Sequence, residues 1–125
     1  MISVSITAFF AAVLALIQVV FTLRVGSYRF ANSVSLGDGG DGELLKRMRA
    51  HGNFVETVPM ALLLLLINEI TGMSSDWLYA LGATLVVARL LHYAGIAFKV
   101  PLLFRMVGIM GTLLVIVIAA IQLLM

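Results

Sequence analysis

The 125-residue sequence contains no cysteine and few charged residues. Without cysteine the chain has neither a disulfide framework nor a thiol nucleophile of its own, so any sulfur chemistry must come from a ligand. Only 11% of the residues are charged and 62% are hydrophobic, which is far from the composition of a soluble domain. The formal net charge of +2 gives no support for nucleic-acid binding. The low content of charged residues and the high content of hydrophobic residues indicate an integral membrane protein.

Four apolar segments are each long enough to cross a bilayer as a helix, which takes about 20 residues. We predict an all-α membrane protein, a four-helix bundle in a single domain of residues 1–125, with spans at residues 2–23, 50–70, 77–98 and 102–124. The first span lacks the basic flank of a signal peptide, so we keep it as a membrane segment. It also lacks the deep carboxylate that a small four-span drug exporter requires, which excludes that class.

Lysine and arginine are confined to two regions of the chain, around the first loop and around the third. These residues are Arg24, Arg29, Lys46, Arg47 and Arg49 in the first region and Arg89, Lys99 and Arg105 in the second. The second loop and both termini have none. Because basic residues concentrate on the cytoplasmic side of membrane proteins, we predict that the first and third loops are cytoplasmic and that both termini are not.

A polar stripe opens the second span. Arg49, Asn53 and Glu56 lie at positions i, i+4 and i+7, so a helix places them within roughly 60° of one another on one face. An ionisable group at membrane depth costs at least about 2.5 kcal/mol unless it is paired or faces water. The stripe therefore indicates a functional site, although an interfacial anchor at Arg49 and a packing ion pair at Glu56 would also account for it.

Further polar residues of the third and fourth spans fall in the same layer. A rise of about 1.5 Å per residue places Glu56, His92 and Arg89 within roughly 15 Å of the cytoplasmic boundary. Arg105 enters this layer from the fourth span, and Tyr93 follows His92. We predict a structural ion pair between Glu56 and Arg89, which leaves the other two arginines of the layer for an anion. With only two histidines in the chain, no metal site is predicted.

Three motifs of the chain resemble those of one family. The sequence R-A-H-x-N-x-x-E opens the second span, R-x-x-H lies late in the third, and an arginine begins the fourth. This pattern resembles the membrane-associated proteins in eicosanoid and glutathione metabolism, which include microsomal glutathione transferases and prostaglandin E synthase. The G-D-G-G loop and the H-G-N-x-V-E sequence are similar to small bacterial inner-membrane members. The resemblance covers essentially the whole chain and implies a bacterial inner-membrane protein.

The resemblance implies a homotrimer of four-helix protomers that binds glutathione, as co-substrate, between subunits on the cytoplasmic side. A lipophilic substrate would reach this site from the membrane lipid. By position, Arg49, Asn53, Glu56 and His92 match glutathione-binding residues of the family. Arg105 matches the arginine that stabilises the glutathione thiolate and is therefore the predicted catalytic residue.

Two positions of the implied site stay open at this point. Arg24 or Arg29 would supply the contact from the neighbouring subunit, and the length of the first loop does not decide between them. Tyr93 is the next candidate for stabilising the thiolate if Arg105 does not.

The chain departs from the family pattern at three positions. Gly52 stands where some members carry arginine, Ile96 stands where prostaglandin E synthase carries tyrosine, and Met106 replaces its serine. These departures argue against prostaglandin isomerisation. Two functions remain: a glutathione transferase or peroxidase acting on lipophilic electrophiles or lipid hydroperoxides, and a non-catalytic member that binds lipid or glutathione.

Overall fold

The computed structural model describes residues 3–125 and contains four helices in this part of the chain. Helix α1 spans Ser5–Ala31, α2 spans Gly42–Ile70, α3 spans Ser75–Ala97 and α4 spans Leu102–Leu124. Each helix is long and apolar enough to cross a membrane. The prediction of an all-helical membrane protein with four potential spans is therefore confirmed. Residue 2, the predicted start of the first span, lies outside the described residues.

Helices α1 and α2 both extend beyond their apolar segments at the end where the first loop lies. Asp41 is the N-cap of α2, since its Oδ1 accepts hydrogen bonds from the backbone N–H groups of Glu43 and Leu44. The Tyr28 hydroxyl donates to the other carboxylate oxygen of Asp41 at 2.9 Å. These bonds fix the last turns of α1 against the start of α2, and the basic residues on either side of the first loop lie in these two helices.

Two glycines let α4 pack closely on α3. A Cβ atom added at Gly95 would lie less than 3.0 Å from the backbone of Arg105, and one added at Gly108 would lie less than 3.0 Å from the backbone of Ala88 and His92. Small residues at such crossings allow two membrane helices to approach backbone to backbone. As a result, the first turn of α4 is placed directly beside the last turns of α3.

Helix α1 is held at both ends. Near the first loop, Phe21 stacks on Tyr93 with 3.5 Å between ring centroids. At the opposite end, the Glu69 carboxylate accepts hydrogen bonds from the backbone N–H groups of Ile6 at 2.9 Å and Thr7 at 2.7 Å. A carboxylate is favourable at the positive end of a helix, and α1 has no side-chain cap of its own. The N-terminus of α1 therefore lies beside the C-terminus of α2, and the two helices run antiparallel.

Candidate functional site

A cavity of about 390 Å³ opens between α2 and α4, with residues of α3 also contributing to its wall. Three cationic, two polar and three apolar side chains line it: Lys46, Arg49, Arg105, Asn53, His92, Leu45, Ile96 and Ile109. No carboxylate is among these lining residues. A second groove of about 340 Å³, between α3 and α4, is lined by apolar and small side chains without charge. Unlike this groove, the first cavity combines the charge and polarity that a small anionic ligand would need.

The structure brings four of the predicted site residues together. Arg49, Asn53, His92 and Arg105 come from three helices and line the same cavity. Lys46 also lines the cavity, although its sequence context indicated only a cytoplasmic cation. Its spacing from Arg49, at i and i+3, is the signal that could have found it, because residues so spaced share a helix face.

Arg89 lies behind the cavity and is only 1% exposed. Its guanidinium donates hydrogen bonds to Asn53 Oδ1 at 2.6 Å, to Thr57 Oγ1 at 3.1 Å and to the Gly108 carbonyl oxygen at 3.2 Å. The predicted ion pair between Arg89 and Glu56 is not formed. Among residues 3–125 the salt bridge that the structure contains joins Glu43 to Arg47, and the Glu56 side chain is exposed.

The angular position of Glu56 explains why it does not meet Arg89. On α2, Phe54 and Val58 face the core, and a helix rotates about 100° per residue, so Glu56 points away from them. Asn53 and Thr57 lie on the edge of the polar stripe that turns toward α3, and they contact the buried arginine instead. The residues of the stripe share one face of α2, but within the protomer the Asn53 edge of that face packs toward α3 while the Glu56 edge is exposed.

The bond from Arg89 fixes the orientation of the Asn53 amide. Because an arginine only donates hydrogen bonds, the atom of Asn53 that faces it must be the oxygen. The amide nitrogen makes no hydrogen bond to the described residues and belongs to a side chain that lines the cavity. Asn53 can therefore offer two N–H donors to an acceptor inside the cavity.

His92 is oriented in the same manner by the fourth helix. It is 4% exposed, and its Nδ1 lies 2.9 Å from the backbone carbonyl oxygen of Arg105. A carbonyl oxygen can only accept, so Nδ1 carries the proton. The close approach of α4 that Gly95 and Gly108 permit makes this bond possible.

Three predicted binding residues lie away from the cavity, on the side of the protomer that α1 covers. Arg29 is held by the first loop, since it donates to the Gly37 carbonyl oxygen at 2.6 Å. Arg24 places its guanidinium carbon 4.9 Å from the ring centroid of Phe98, and its buried Nε has no hydrogen-bond partner among the described residues. Tyr93 is buried against α1, and its hydroxyl also lacks a partner there. His92 and Tyr93 diverge because adjacent residues of a helix differ by about 100°.

The residues that the structure describes contain no cluster of three or more histidine, aspartate or glutamate side chains that could hold a metal ion.

Four apolar helices around a cationic cavity define this protein as a four-helix integral membrane protein. The model of the MAPEG family matches residues 7–125, so the chain belongs to the MAPEG family, as the sequence motifs indicated. The chain is 37% identical over 90 residues to the inner membrane protein YecN of Escherichia coli K12, a match that covers 72% of this chain and 69% of that protein. The YecN protein of Escherichia coli O6:H1 matches to the same extent. No solved structure matches the chain significantly.

Proposed function

We propose that this protein is a glutathione-dependent transferase or peroxidase of a bacterial inner membrane that acts on lipophilic electrophiles or lipid hydroperoxides. The observation that carries the proposal is the charge of the cavity: Lys46, Arg49 and Arg105 face one space that no carboxylate lines. Activated glutathione has two carboxylates and a thiolate, so its three anionic groups match three cations. Guanidinium and ammonium groups are the usual partners of such anions.

Each cavity residue has a role in this proposal. Lys46 and Arg49 bind the two carboxylates at the mouth of the cavity, and the Asn53 amide donates to a carbonyl or carboxylate oxygen of the tripeptide. Arg105 stabilises the thiolate. A free thiol has a pKa of about 8.5 and is mostly protonated at neutral pH, and a nearby cation in a low-dielectric site lowers that pKa. The enzyme would thereby enrich the nucleophilic form of glutathione.

The second substrate is proposed to arrive through the bilayer. Ile96 and Ile109 give the cavity an apolar part, and the first turn of α4 carries the exposed side chains of Leu102, Leu103 and Met106. An apolar electrophile dissolved in lipid could approach the thiolate from that side without crossing water. We place this site in the cytoplasmic half of the membrane, because its lining includes Lys46 and Arg49 from the basic region around the first loop and Arg105 from the region around the third.

We further propose that the protein is a homotrimer. Glu56 is exposed on the protomer at membrane depth, and Arg24 is a cation without a carboxylate partner among the described residues. Exposure of such groups to lipid is costly, whereas a neighbouring subunit or a ligand held between subunits would satisfy them. Of the two arginines that the sequence left open, Arg24 is the better candidate for the contact from the neighbour, because Arg29 is bound to its own loop. Native mass spectrometry in mild detergent should show trimers, and stable monomers would contradict the proposal.

In the trimer, Glu56 is proposed to contact the ammonium group of glutathione. Since the carboxylate has no partner among residues 3–125, Glu56→Gln should weaken glutathione binding while leaving the stability of the protomer nearly unchanged. Isothermal titration calorimetry and thermal unfolding of the same preparation would measure both. Normal glutathione binding by Glu56→Gln would show that Glu56 is not part of the binding site.

The central test is the titration of detergent-purified protein with glutathione, followed by the ultraviolet absorbance of the thiolate. Wild-type protein should bind glutathione and form thiolate at neutral pH. Lys46→Gln and Arg49→Gln should bind glutathione less tightly. Lys99→Gln is the matched control: it alters a cytoplasmic cation that does not line the cavity, so its affinity for glutathione should be that of the wild type. Absence of glutathione binding in calorimetry would refute the proposed function.

A second candidate function is a non-catalytic glutathione- or lipid-binding member of the same family. Two observations favour it: Met106, without a hydroxyl, follows Arg105, and the Glu56 carboxylate does not line the cavity. The same titration separates the two functions. Binding without thiolate, together with no conjugation of any electrophile in a panel, would identify the non-catalytic protein.

A further inference from the structure

We propose that His92 is the general base of the reaction, and that its Nε2 accepts the proton of the glutathione thiol. The inference rests on the proposed function, because it assigns a step of the same reaction. Arg105 stabilises a thiolate once formed, but its guanidinium carries no lone pair with which to remove the proton. Direct transfer of that proton within the cavity therefore requires another group, one with a free lone pair.

The hydrogen bond from Nδ1 to the Arg105 carbonyl oxygen determines which ring nitrogen can serve. In a neutral imidazole that donates through Nδ1, the lone pair is on Nε2. Nε2 makes no hydrogen bond to the described residues, and it is not among the buried side-chain atoms that lack a partner. Because His92 lines the cavity, this free nitrogen is the atom that a ligand can reach.

The other residues that line the cavity offer no comparable base. Lys46, Arg49 and Arg105 are cations, and the Asn53 amide is not basic. The remaining lining residues are apolar. Glu56 and Tyr93, which could accept a proton when ionised, lie outside the lining of this cavity. Of the groups that the structure places around the cavity, His92 alone combines a neutral form with a free basic nitrogen.

The step balances without any further reagent. The S–H bond of glutathione breaks, an N–H bond forms at Nε2, and the electron pair stays on sulfur. The thiolate then attacks the electrophile and forms a C–S bond. The imidazolium finally gives its proton to the departing group in a substitution, or to the new carbanion in an addition. The backbone carbonyl that holds Nδ1–H keeps the ring in one orientation throughout.

The test is the rate at which thiolate forms after glutathione is mixed with the protein in a stopped-flow spectrophotometer. His92→Asn is the informative variant, because its Nδ2 can keep the bond to the Arg105 carbonyl oxygen while the basic nitrogen is lost. We expect nearly normal affinity and final thiolate absorbance, a rate roughly 100-fold lower, and partial recovery of the rate on adding free imidazole. An unchanged rate of thiolate formation in His92→Asn would overturn the proposal. So would a variant that loses glutathione affinity and thiolate absorbance and does not respond to imidazole.

A measurement on protein with native His92 covers the case in which His92→Asn does not fold. The chain has two histidines, so ¹⁵N-histidine NMR of wild type and His51→Gln identifies the signals of His92. The unligated protein should show Nδ1 protonated and Nε2 unprotonated, and glutathione should shift the Nε2 resonance. A proton on Nε2 alone would overturn the proposal. If wild-type protein binds no glutathione in calorimetry, the proposed function itself fails, whereas a normal affinity with the wrong tautomer refutes only the role of His92.

Discussion

Replacing Arg89 with methionine should weaken glutathione binding without unfolding the protein. Arg89 is buried behind the cavity and has no carboxylate partner among the described residues. The hydrogen bonds of Arg89 offset the cost of burying its charge, so this arginine adds little net stability. Its proposed role is to orient the Asn53 amide. Methionine has a similar length and no charge, so Arg89→Met removes the orienting bond while filling most of the space.

The expected change in stability follows from the partners of Arg89. Removing the arginine relieves a cost of about 2.5–3.5 kcal/mol at membrane depth, whereas a buried acceptor left without a partner, here Asn53 Oδ1, costs about 1–3 kcal/mol. In the variant, the Gly108 carbonyl oxygen still accepts from Thr112 and the Thr57 hydroxyl still donates to the Asn53 carbonyl oxygen. The opposing contributions nearly cancel, so the free energy of unfolding should change by no more than about 2 kcal/mol. Breaking a buried ion pair would instead cost about 3–5 kcal/mol.

The assay combines unfolding in denaturing detergent with calorimetric titration of glutathione. Arg89→Met should bind glutathione roughly tenfold more weakly, which corresponds to the loss of one hydrogen bond of about 1.4 kcal/mol. Leu85→Ala is the control, since Leu85 is buried one turn away on the same helix. It should lose about 2–5 kcal/mol of stability and keep its affinity. Destabilisation of Arg89→Met by more than about 3 kcal/mol, or unchanged binding, would refute the reasoning.

Three further predictions concern the thiolate and the two ends of the bundle. Arg105→Ala should raise the pKa of the bound thiol, so its conjugation rate should recover between about pH 7 and pH 9, whereas Arg49→Ala should not recover; an equal deficit of Arg105→Ala at both pH values would make Arg105 a binding residue. Glu69→Ala should destabilise the protein by about 1–2 kcal/mol in thermal or detergent unfolding, because α1 loses its capping carboxylate; an unchanged midpoint would show that the cap is dispensable. The pKa of Asp41 lies below its ordinary value of 3.8, because the Leu44 backbone N–H and the Tyr28 hydroxyl donate to it. The ionised Asp41 carboxylate therefore stabilises the fold fully above about pH 4, and this contribution is lost as the pH falls through its lowered pKa. In unfolding measured against pH, Asp41→Asn should remove this part of the acid dependence.

Sequence alone determined the class of the protein and pointed to four of the residues that line the candidate cavity. Composition and the length of the apolar segments predicted four spans, because a helix must cover the thickness of the bilayer with side chains that lipid tolerates. The spacing of Arg49 and Asn53 and the position of Arg105 predicted a cationic layer, because polar groups at membrane depth need a function or a partner. The family motifs, which are contiguous in sequence, were sufficient to identify the MAPEG family.

Tertiary structure decided the partner of each polar group. The buried arginine meets Asn53 and not Glu56, because the rotation of α2 about its own axis, which packing sets, exposes one edge of the stripe and buries the other. The bond that fixes the His92 tautomer depends on a backbone carbonyl of α4, and the cap of α1 depends on a carboxylate more than sixty positions away in the chain. Backbone groups carry no signature in the sequence, and contacts between distant residues form only when helices pack. Helical periodicity therefore predicts which residues share a face, whereas only packing determines what that face touches.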